Sequence, residues 1–399
     1  MTAILYNIFY RFVSFLISFA MLFGYSGDCL KADSSEWKTN YKYVFVHGLS
    51  GWGSYDAVNK VMPYWGMFGG DLMEYLNDKG FDCYAASVSP TSSAWDRACE
   101  LYAQLTGTVV DYGKAHSEEC GHERFGTDYT GRALIDGWSE EDKINLLGHS
   151  FGGATVRLFA HIMENGSEEE IHATDESELS DFFKGGKGDY IYSLVTLAAP
   201  HNGTTAYMVD ENDVPKEGNF VSDFVTDIQT KLTSMIRLAN GNPEEDTKAA
   251  WDYASYDMYI DNAFELNRKI KMYDNTYYFS IPCNATVQNE DGTWSPVEKK
   301  MEPLFISSSK VMGIFTGETE DGYVVDESWQ MNDGLVNTIS AMAPTSSPSK
   351  EYDAENVLPG VWNIMPTYDG DHMSLQGGLT KVNDVKGYYV ELLSMINSL

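Results

Sequence analysis

The stretch that most constrains this chain is residues 148–152, which read Gly-His-Ser-Phe-Gly. Residues 143–147 are short and mostly apolar, as in a buried strand, and residues 153–166 carry apolar side chains at near-helical spacing before a terminal glycine. A strand, a Gly-x-Ser-x-Gly turn and a helix describe a nucleophile elbow. Glycines fit there because a side chain two residues from the serine would collide with backbone. The pattern predicts Ser150 at the tip of a strained turn, beside a helix N-terminus.

The rest of the chain alternates strand-like and helix-like segments. Strands are predicted at 41–46, 81–87, 190–197 and 276–281, and helices at 71–78, 93–108 and 387–399. This alternation is typical of an α/β fold, in which a mainly parallel sheet is covered by helices on both faces. We predict one domain over residues 41–399, preceded by a polar linker at 33–40.

The charge balance excludes some classes of partner. The 399 residues include 59 acidic and 27 basic side chains, for a net charge of −32. Such a surface repels phosphate backbones, so we expect no nucleic-acid binding, and it has no basic patch for anionic membranes. No obligate protein partner is evident. The five cysteines lack paired metal-site spacing, and Cys83 and Cys99 lie in apolar-periodic segments that predict burial in the core.

The N-terminal segment favours export. Arg11 is the only charged side chain before Asp28, and residues 12–27 between them are mostly apolar. This resembles a secretory signal, so residues 1–32 are predicted to be a signal peptide of a secreted, extracellular protein. An uncleaved membrane anchor formed by the same apolar segment is the alternative.

A serine nucleophile needs a base, and the histidines of the chain limit the choice. A serine hydroxyl is weakly nucleophilic at neutral pH, and an acid must in turn orient the base. In α/β-hydrolases the chain order is Ser, then Asp or Glu, then His. After His201 the only remaining histidine is His372, which lies in a loop-like run at 368–372. We therefore predict His372 as the base for Ser150.

The acid must lie between the serine and this histidine. Asp333 is in an Asn-Asp-Gly turn directly before an apolar pair, and it precedes His372. The rivals are Asp326, Asp353 and Asp371, of which Asp371 adjoins the histidine and so is poorly placed to face it. We predict Asp333 as the acid.

The oxyanion of the intermediate requires backbone donors. The strand at 41–46 ends in His-Gly-Leu, which is where α/β-hydrolases place the loop that supplies one donor. We predict the N–H groups of Leu49 and Phe151 as the two donors. The chemistry would be acyl transfer through a covalent intermediate on Ser150.

Several longer motifs in the chain carry a family resemblance. They are residues 47–53 (His-Gly-Leu-Ser-Gly-Trp-Gly), 64–66 (Tyr-Trp-Gly), 95–100 (Trp-Asp-Arg-Ala-Cys-Glu), 111–113 (Asp-Tyr-Gly), 199–205 (Ala-Pro-His-Asn-Gly-Thr-Thr) and 332–334 (Asn-Asp-Gly). With them, the chain resembles the secreted bacterial lipases of the staphylococcal and thermophilic Bacillus type over roughly residues 41–399. The resemblance implies an α/β-hydrolase fold, triacylglycerol and simpler ester substrates, and a lid helix that opens at an oil–water interface, here around 208–242. It also implies the same triad of Ser150, Asp333 and His372.

The resemblance further implies a structural zinc ion in an excursion from the core fold. The matching positions are Asp96, His116, His122 and Asp252. Four protein ligands with no open position are typical of structural zinc and not of hydrolytic zinc. The family also binds calcium through acids shortly after the catalytic histidine. Residues 373–379 (Met-Ser-Leu-Gln-Gly-Gly-Leu) replace those acids here, so the resemblance gives no support for calcium.

These features together favour a secreted triacylglycerol lipase that acts on lipid esters at an oil–water interface. A phospholipase or a short-chain carboxylesterase on the same fold is the alternative, because pocket depth is not legible in the sequence. Metal-dependent hydrolysis at His116 and His122 is a further option. A non-catalytic binding protein with a hydrolase fold is the remote alternative, since it would be expected to lack Ser150, Asp333 or His372.

Overall fold

The computed structural model describes residues 31–208, 248–378 and 385–399. Residues 1–30 of the predicted signal or anchor segment, and all of the predicted lid after Met208, lie outside these ranges. Within the three ranges, no helix has the length and apolar character needed to span a membrane.

A single seven-stranded sheet organises the described chain. Every neighbouring pair in it is parallel, and the strand order is β6-β7-β5-β4-β3-β1-β2. The strands are β1 (Lys42–Val46), β2 (Cys83–Ala86), β3 (Ile144–His149), β4 (Ile191–Leu197), β5 (Tyr277–Ile281), β6 (Ser349–Glu351) and β7 (Trp362–Ile364). The predicted mainly parallel α/β sheet is confirmed. The four predicted strands and the strand before the elbow lie within a few residues of their expected bounds.

Helices follow the strands in the alternation that the sequence predicts. They are α1 (Leu72–Lys79), α2 (Ala94–Thr106), α3 (Lys114–Cys120), α4 (Gly152–Asn165), α5 (Glu168–Ala173), α6 (Ala254–Asp257), α7 (Ile260–Lys269), α8 (Ile306–Met312) and α9 (Val385–Asn397). Local capping sets some of these bounds. The carboxylate of Asp71 accepts from two N–H groups of the first turn of α1, and the hydroxyl of Ser93 accepts from Asp96 N in α2.

Short antiparallel pairs lie outside the main sheet. Val109–Asp111 pairs with Phe125–Asp128 on either side of α3, and together these elements form the excursion between β2 and β3. The other two-stranded pairs join Thr286–Gln288 to Trp294–Pro296, Gly317–Glu318 to Val324–Val325, and, in parallel, Cys283–Asn284 to Tyr368–Asp369.

The apolar core lies on both faces of the sheet. In β1, Val44 and Val46 pack into one buried cluster with α2 and α4, whereas Tyr43 and Phe45 pack into another with α1 and α9. Alternate residues of a strand point to opposite faces, so a strand buried on both sides is almost wholly apolar. Cys83 and Cys99 lie in these clusters as predicted, and neither forms a disulfide with a described residue.

The predicted linker at 33–40 contacts the sheet and the C-terminal helix. The N–H groups of Lys38 and Thr39 both donate to the carbonyl of Asn397, at 2.7 and 3.0 Å. The ring of Trp37 packs 4.8 Å from that of Phe81. These contacts attach the segment to the domain just before β1 begins.

Candidate active site and metal cluster

The turn after β3 has the geometry of a nucleophile elbow. Ser150 has a φ of 55°, in the left-handed region that side chains rarely adopt. A Cβ on Gly148 would lie 2.4 Å from the carbonyl oxygen of Gly152, and one on Gly152 would lie 2.4 Å from the carbonyl oxygen of Val46. Both glycines are therefore required by close backbone contact, and α4 begins directly behind the serine.

The three residues predicted as a triad form one hydrogen-bonded chain. Ser150 Oγ lies 2.8 Å from His372 Nε2, and His372 Nδ1 lies 2.9 Å from Asp333 Oδ2. The second carboxylate oxygen of Asp333 accepts from the N–H groups of Leu335 and Val336 at 3.0 and 2.7 Å. All three side chains are buried. The carboxylate is thus fixed toward the imidazole, and the imidazole toward the hydroxyl.

The rival acids have other contacts. Asp371 is buried, and its two carboxylate oxygens accept from Ser374 Oγ at 2.8 Å and from the N–H of Glu302 at 2.6 Å. Asp326 and Asp353 are exposed, and each accepts hydrogen bonds from a residue two positions ahead. None of these contacts joins a rival carboxylate to His372.

The loop after β1 lies against Ser150. A Cβ on Gly48 would be 2.6 Å from the Cβ of Ser150, so the backbone of this loop approaches the serine closely. The N–H groups of Leu49 and Phe151, the predicted oxyanion donors, donate to no other residue of the described ranges. Two backbone donors on segments that adjoin Ser150 would suit a negative charge developing there.

Arg97 supports this loop from below, a contact that the sequence indicates only by placing this residue in a family motif. Its guanidinium is fully buried and donates to the carbonyls of His47 and Gly48. It also lies 5.1 Å from the centre of the Phe151 ring. Burial lowers the pKa of Arg97 to about 10, so it keeps its charge at neutral pH. One buried cation therefore contacts both segments that carry the candidate oxyanion donors.

His149 connects the turn at Ser150 to His372. Its Nδ1 lies 2.7 Å from the hydroxyl of Tyr64, which also accepts from the N–H of Gly48 at 3.1 Å. Its Nε2 lies 2.8 Å from the carbonyl oxygen of His372. The sequence pattern places His149 only in the turn. In the structure it links the loop after β1, the turn at Ser150 and the backbone of His372.

Acid should destabilise the fold through His149. Burial, reinforced by the neighbouring His372, lowers the pKa of His149 from 6.5 to about 3. Between these values the unfolded chain binds a proton there and the folded chain does not, so the free energy of unfolding falls by about 1.4 kcal/mol per pH unit on acidification. In His149→Asn, the free energy of unfolding measured in urea between pH 4 and 6 should fall less steeply on acidification, by the contribution of one proton. An unchanged slope would contradict the buried neutral imidazole.

A second polar cluster lies in the excursion between β2 and β3. His116 Nε2 is 3.1 Å from Asp96 Oδ1 and 3.4 Å from Asp252 Oδ1. His122 Nε2 is 3.6 Å from Asp96 Oδ1 and 3.4 Å from Asp252 Oδ2. The four predicted metal-ligating residues therefore converge, although Asp252 is 130 residues or more from the two histidines in the sequence.

Local structure determines the positions of the two histidines. His116 is on α3, whose first turn is capped by Glu170, since that buried carboxylate accepts from the N–H groups of Ala115 and His116 at 3.0 and 2.8 Å. Gly121 ends the helix in the left-handed conformation with a φ of 80°, which turns the chain so that His122 points back at the same carboxylates.

The donor set fits a tetrahedral metal ion. Zinc ligands at about 2.0–2.1 Å from the ion are separated from one another by roughly 3.3 Å, close to the nitrogen–oxygen distances in this cluster. His122 Nε2 is buried and makes no hydrogen bond within the described ranges. Burial disfavours protonation of His116, but the carboxylates of Asp252 and Asp96 outweigh it and raise its pKa to about 11. The cluster attracts positive charge.

Two further residues join this cluster that the sequence did not single out. Cys120 Sγ lies 3.3 Å from His116 Nε2, and potential ligand atoms of His116, Cys120, His122 and Asp252 all lie within 4.8 Å of one another. Lys248 Nζ lies 2.5 Å from Asp96 Oδ2 and 2.9 Å from Asp252 Oδ2. The cluster thus contains a thiol and an ammonium group besides the four predicted ligands.

Comparison with known proteins agrees with the fold. Residues 39–397 match the family model described as lipase-like, C-terminal domain. The chain belongs to this lipase-like family. It is 31% identical to the lipase of Staphylococcus hyicus over 383 residues, which cover 91% of this chain and 57% of that protein. The chain spans about half the length of the curated relatives it matches.

Solved structures with the same fold align with nearly the whole chain. The structure of EstA from Clostridium botulinum is 31% identical, has a TM-score of 0.78, and covers 94% of this chain and 90% of its own. Lipase 1 from Pelosinus fermentans is 33% identical, has a TM-score of 0.73, and covers 90% of this chain and 99% of its own. The predicted α/β-hydrolase fold and family resemblance of this lipase-like chain are confirmed.

Proposed function

We propose that this chain is a carboxylic-ester hydrolase, most specifically a secreted triacylglycerol lipase, with Ser150, His372 and Asp333 as its catalytic triad. The observation that carries the proposal is the buried hydrogen-bonded chain from Ser150 Oγ through the imidazole of His372 to Asp333. Family membership supports the same chemistry. The retention of all three residues argues against a non-catalytic binding protein.

The three residues have different roles in the proposed reaction. His372 Nε2 takes the proton of Ser150 Oγ as that oxygen attacks the ester carbonyl carbon, and the imidazolium then protonates the leaving alcohol. Asp333 holds the Nδ1–H tautomer and stabilises the imidazolium. Water, deprotonated by His372, attacks the acyl-enzyme and releases the fatty acid while the proton returns to Ser150.

The proposed oxyanion hole is formed by the backbone N–H groups of Leu49 and Phe151. Both are on segments held by the buried Arg97, so the donors are fixed before substrate binds. Preorganised donors act without reorganisation at the moment of reaction, and losing one costs on the order of 10²–10³ in rate. The N-terminus of α4 adds a partial positive charge on the same side.

The substrate class is tested by an assay across acyl-chain lengths. Emulsified triacylglycerols of short and long chains, a phospholipid, and soluble short-chain esters are compared, each with and without a serine-directed phosphonate. A lipase should hydrolyse the long-chain emulsions, and the phosphonate should remove the activity. Preference for the phospholipid or for soluble short esters alone would favour the corresponding alternative. Activity that survives the phosphonate would favour metal-dependent hydrolysis at His116 and His122.

We propose a structural zinc ion for the second cluster, held by Asp96, His116, His122 and Asp252. The ligand spacing supports this assignment, as does the buried Nε2 of His122, which faces both carboxylates without a hydrogen bond to either. Bound zinc would cross-link α2, the end of α3 and the segment before α6, and so stabilise the excursion. The proposal includes no calcium ion.

Zinc should therefore contribute to thermal stability. At zinc concentrations 100-fold above Kd, binding adds about 2.7 kcal/mol to the free energy of unfolding. A strong chelator should lower Tm by several degrees, and Asp252→Ala should abolish the response to chelator. Differential scanning calorimetry with and without chelator measures both, with exposed Glu355→Ala as the control variant. Equal Tm values for the untreated and chelated wild type, with no metal in elemental analysis, would refute the site.

A further inference from the structure

The ammonium group of Lys248 is part of the metal cluster. Its Nζ lies 2.5 Å from Asp96 Oδ2 and 2.9 Å from Asp252 Oδ2, so it bridges the two carboxylates that face the histidines. The side chain is 4% exposed, and Ser92 Oγ lies 3.0 Å from the same nitrogen. Lysine side chains are rarely buried this deeply unless they are paired.

The contacts of Lys248 form a cation site. Its ammonium group donates hydrogen bonds to Asp96 Oδ2 and to Ser92 Oγ, and it forms an ion pair with Asp252 Oδ2 at 2.9 Å. The ring of Tyr253 lies beside it, with its centre 5.1 Å from Nζ, and adds the negative face of an aromatic ring. The site satisfies a positive charge with residues of the chain itself.

The ammonium group of Lys248 changes the charge balance that a metal ion would meet in the cluster. Two carboxylates and two neutral imidazoles balance a dication, which is the usual condition of a closed zinc site. With Lys248 in place, the same residues and a dication would have a net charge of +1 in a buried region. Like charges this close repel strongly where water is excluded. The ammonium group and the metal ion therefore oppose each other at these carboxylates.

We propose that Lys248 is an internal cation that neutralises Asp96 and Asp252 when metal is absent and competes with a divalent metal ion for them. Two consequences follow. The excursion keeps its fold without metal, because the carboxylates remain paired. Metal binding is weaker than the four ligands alone would give, because the ion must displace the ammonium group or bind against its charge.

An opposite role for the same contacts is that Lys248 orients the carboxylates as an outer partner of the metal ligands. Removal of such a partner lowers metal affinity, commonly on the order of 10- to 100-fold. Competition between Lys248 and the metal ion predicts the opposite change, which is a higher metal affinity when Lys248 is replaced. The direction of the change in affinity therefore decides between the two roles, independently of whether the protein hydrolyses esters.

The experiment measures zinc affinity of metal-free protein by competition with a chromogenic chelator. Lys248→Met removes the charge and keeps most of the side-chain volume, and Lys248→Gln keeps a polar end. Both should bind zinc more tightly than the wild type, by about tenfold or more, which is the size of the coupling between close charge pairs. Lys248→Arg, which keeps the charge, and Lys299→Met, at an exposed lysine, should bind zinc as the wild type does. Unchanged or weaker affinity in the two neutral variants would overturn the proposal.

Thermal stability gives a second readout that does not depend on the chelator competition. The decrease in Tm caused by metal removal should be larger in Lys248→Met and Lys248→Gln than in the wild type, because their unpaired carboxylates repel in the metal-free state. If a neutral variant unfolds without metal, refolding on zinc addition gives its affinity. Equal decreases in Tm for wild type and both neutral variants would contradict the proposed competition.

Discussion

Replacement of Ser150 by alanine should lower kcat for ester hydrolysis by about 10⁶-fold, because loss of a serine nucleophile costs a hydrolase nearly all of its triad-dependent rate. The hydroxyl is buried beside His372, and removing one oxygen changes little of the packing, so the fold should survive. Ester hydrolysis is measured by titrating released acid, and circular dichroism and Tm report the fold. Exposed Ser349→Ala is the matched control and should keep wild-type activity.

An undiminished rate in Ser150→Ala, with the fold intact, would end the proposed mechanism. A decrease in rate accompanied by a lower Tm or a weaker circular dichroism signal would not support the mechanism, because it could come from unfolding. The variant is therefore judged on soluble, monodisperse protein and on the rate per folded molecule.

Replacement of Asp333 by asparagine should lower kcat by roughly 10⁴-fold, as expected when the acid of a triad loses its charge while its shape is kept. An amide facing His372 Nδ1 favours the tautomer with the proton on Nε2, which cannot accept the proton of Ser150. The two N–H donors from Leu335 and Val336 still bind the remaining oxygen, so the loop should hold its conformation. The measurement is kcat and KM for one soluble ester.

The rival acids supply the controls for this prediction. Asp326→Asn and Asp353→Asn change exposed carboxylates that do not contact the imidazole, and both should leave kcat within about twofold of wild type, as is usual for surface substitutions. A large loss of kcat in either one, with little change in Asp333→Asn, would move the acid to that position.

The sequence predicted the central sheet and the triad for definable physical reasons. The strand before the elbow is short, apolar and buried on both faces, and the helix after it has near-helical apolar spacing, so both periodicities are clear. The triad followed from chain order and from the small number of histidines. Asp333 and His372 are 39 residues apart in the sequence. Without a structure, only the chain order of triad residues in α/β-hydrolases connects the two.

Several residues of the two clusters make contacts that no local sequence pattern encodes. Lys248 contacts Asp96, which is 152 residues away in the sequence, and His149 contacts Tyr64, which is 85 residues away. Arg97 occupies an ordinary helical position, and its burial depends on where the loop after β1 passes. Cys120 is one turn of α3 from His116, and its spacing in the sequence matched no metal motif. Such partners depend on packing between elements.

The central claim, that Ser150 is the nucleophile of an ester hydrolase, is tested most directly by labelling with a serine-directed phosphonate. The intact protein is reacted, its mass is measured, and peptide mass spectrometry locates the adduct while activity is followed in parallel. We predict one adduct per chain, on Ser150, with activity lost in proportion to labelling and with Asp333→Asn labelled far more slowly. An adduct on another residue, or full activity with Ser150 completely labelled, would contradict the account.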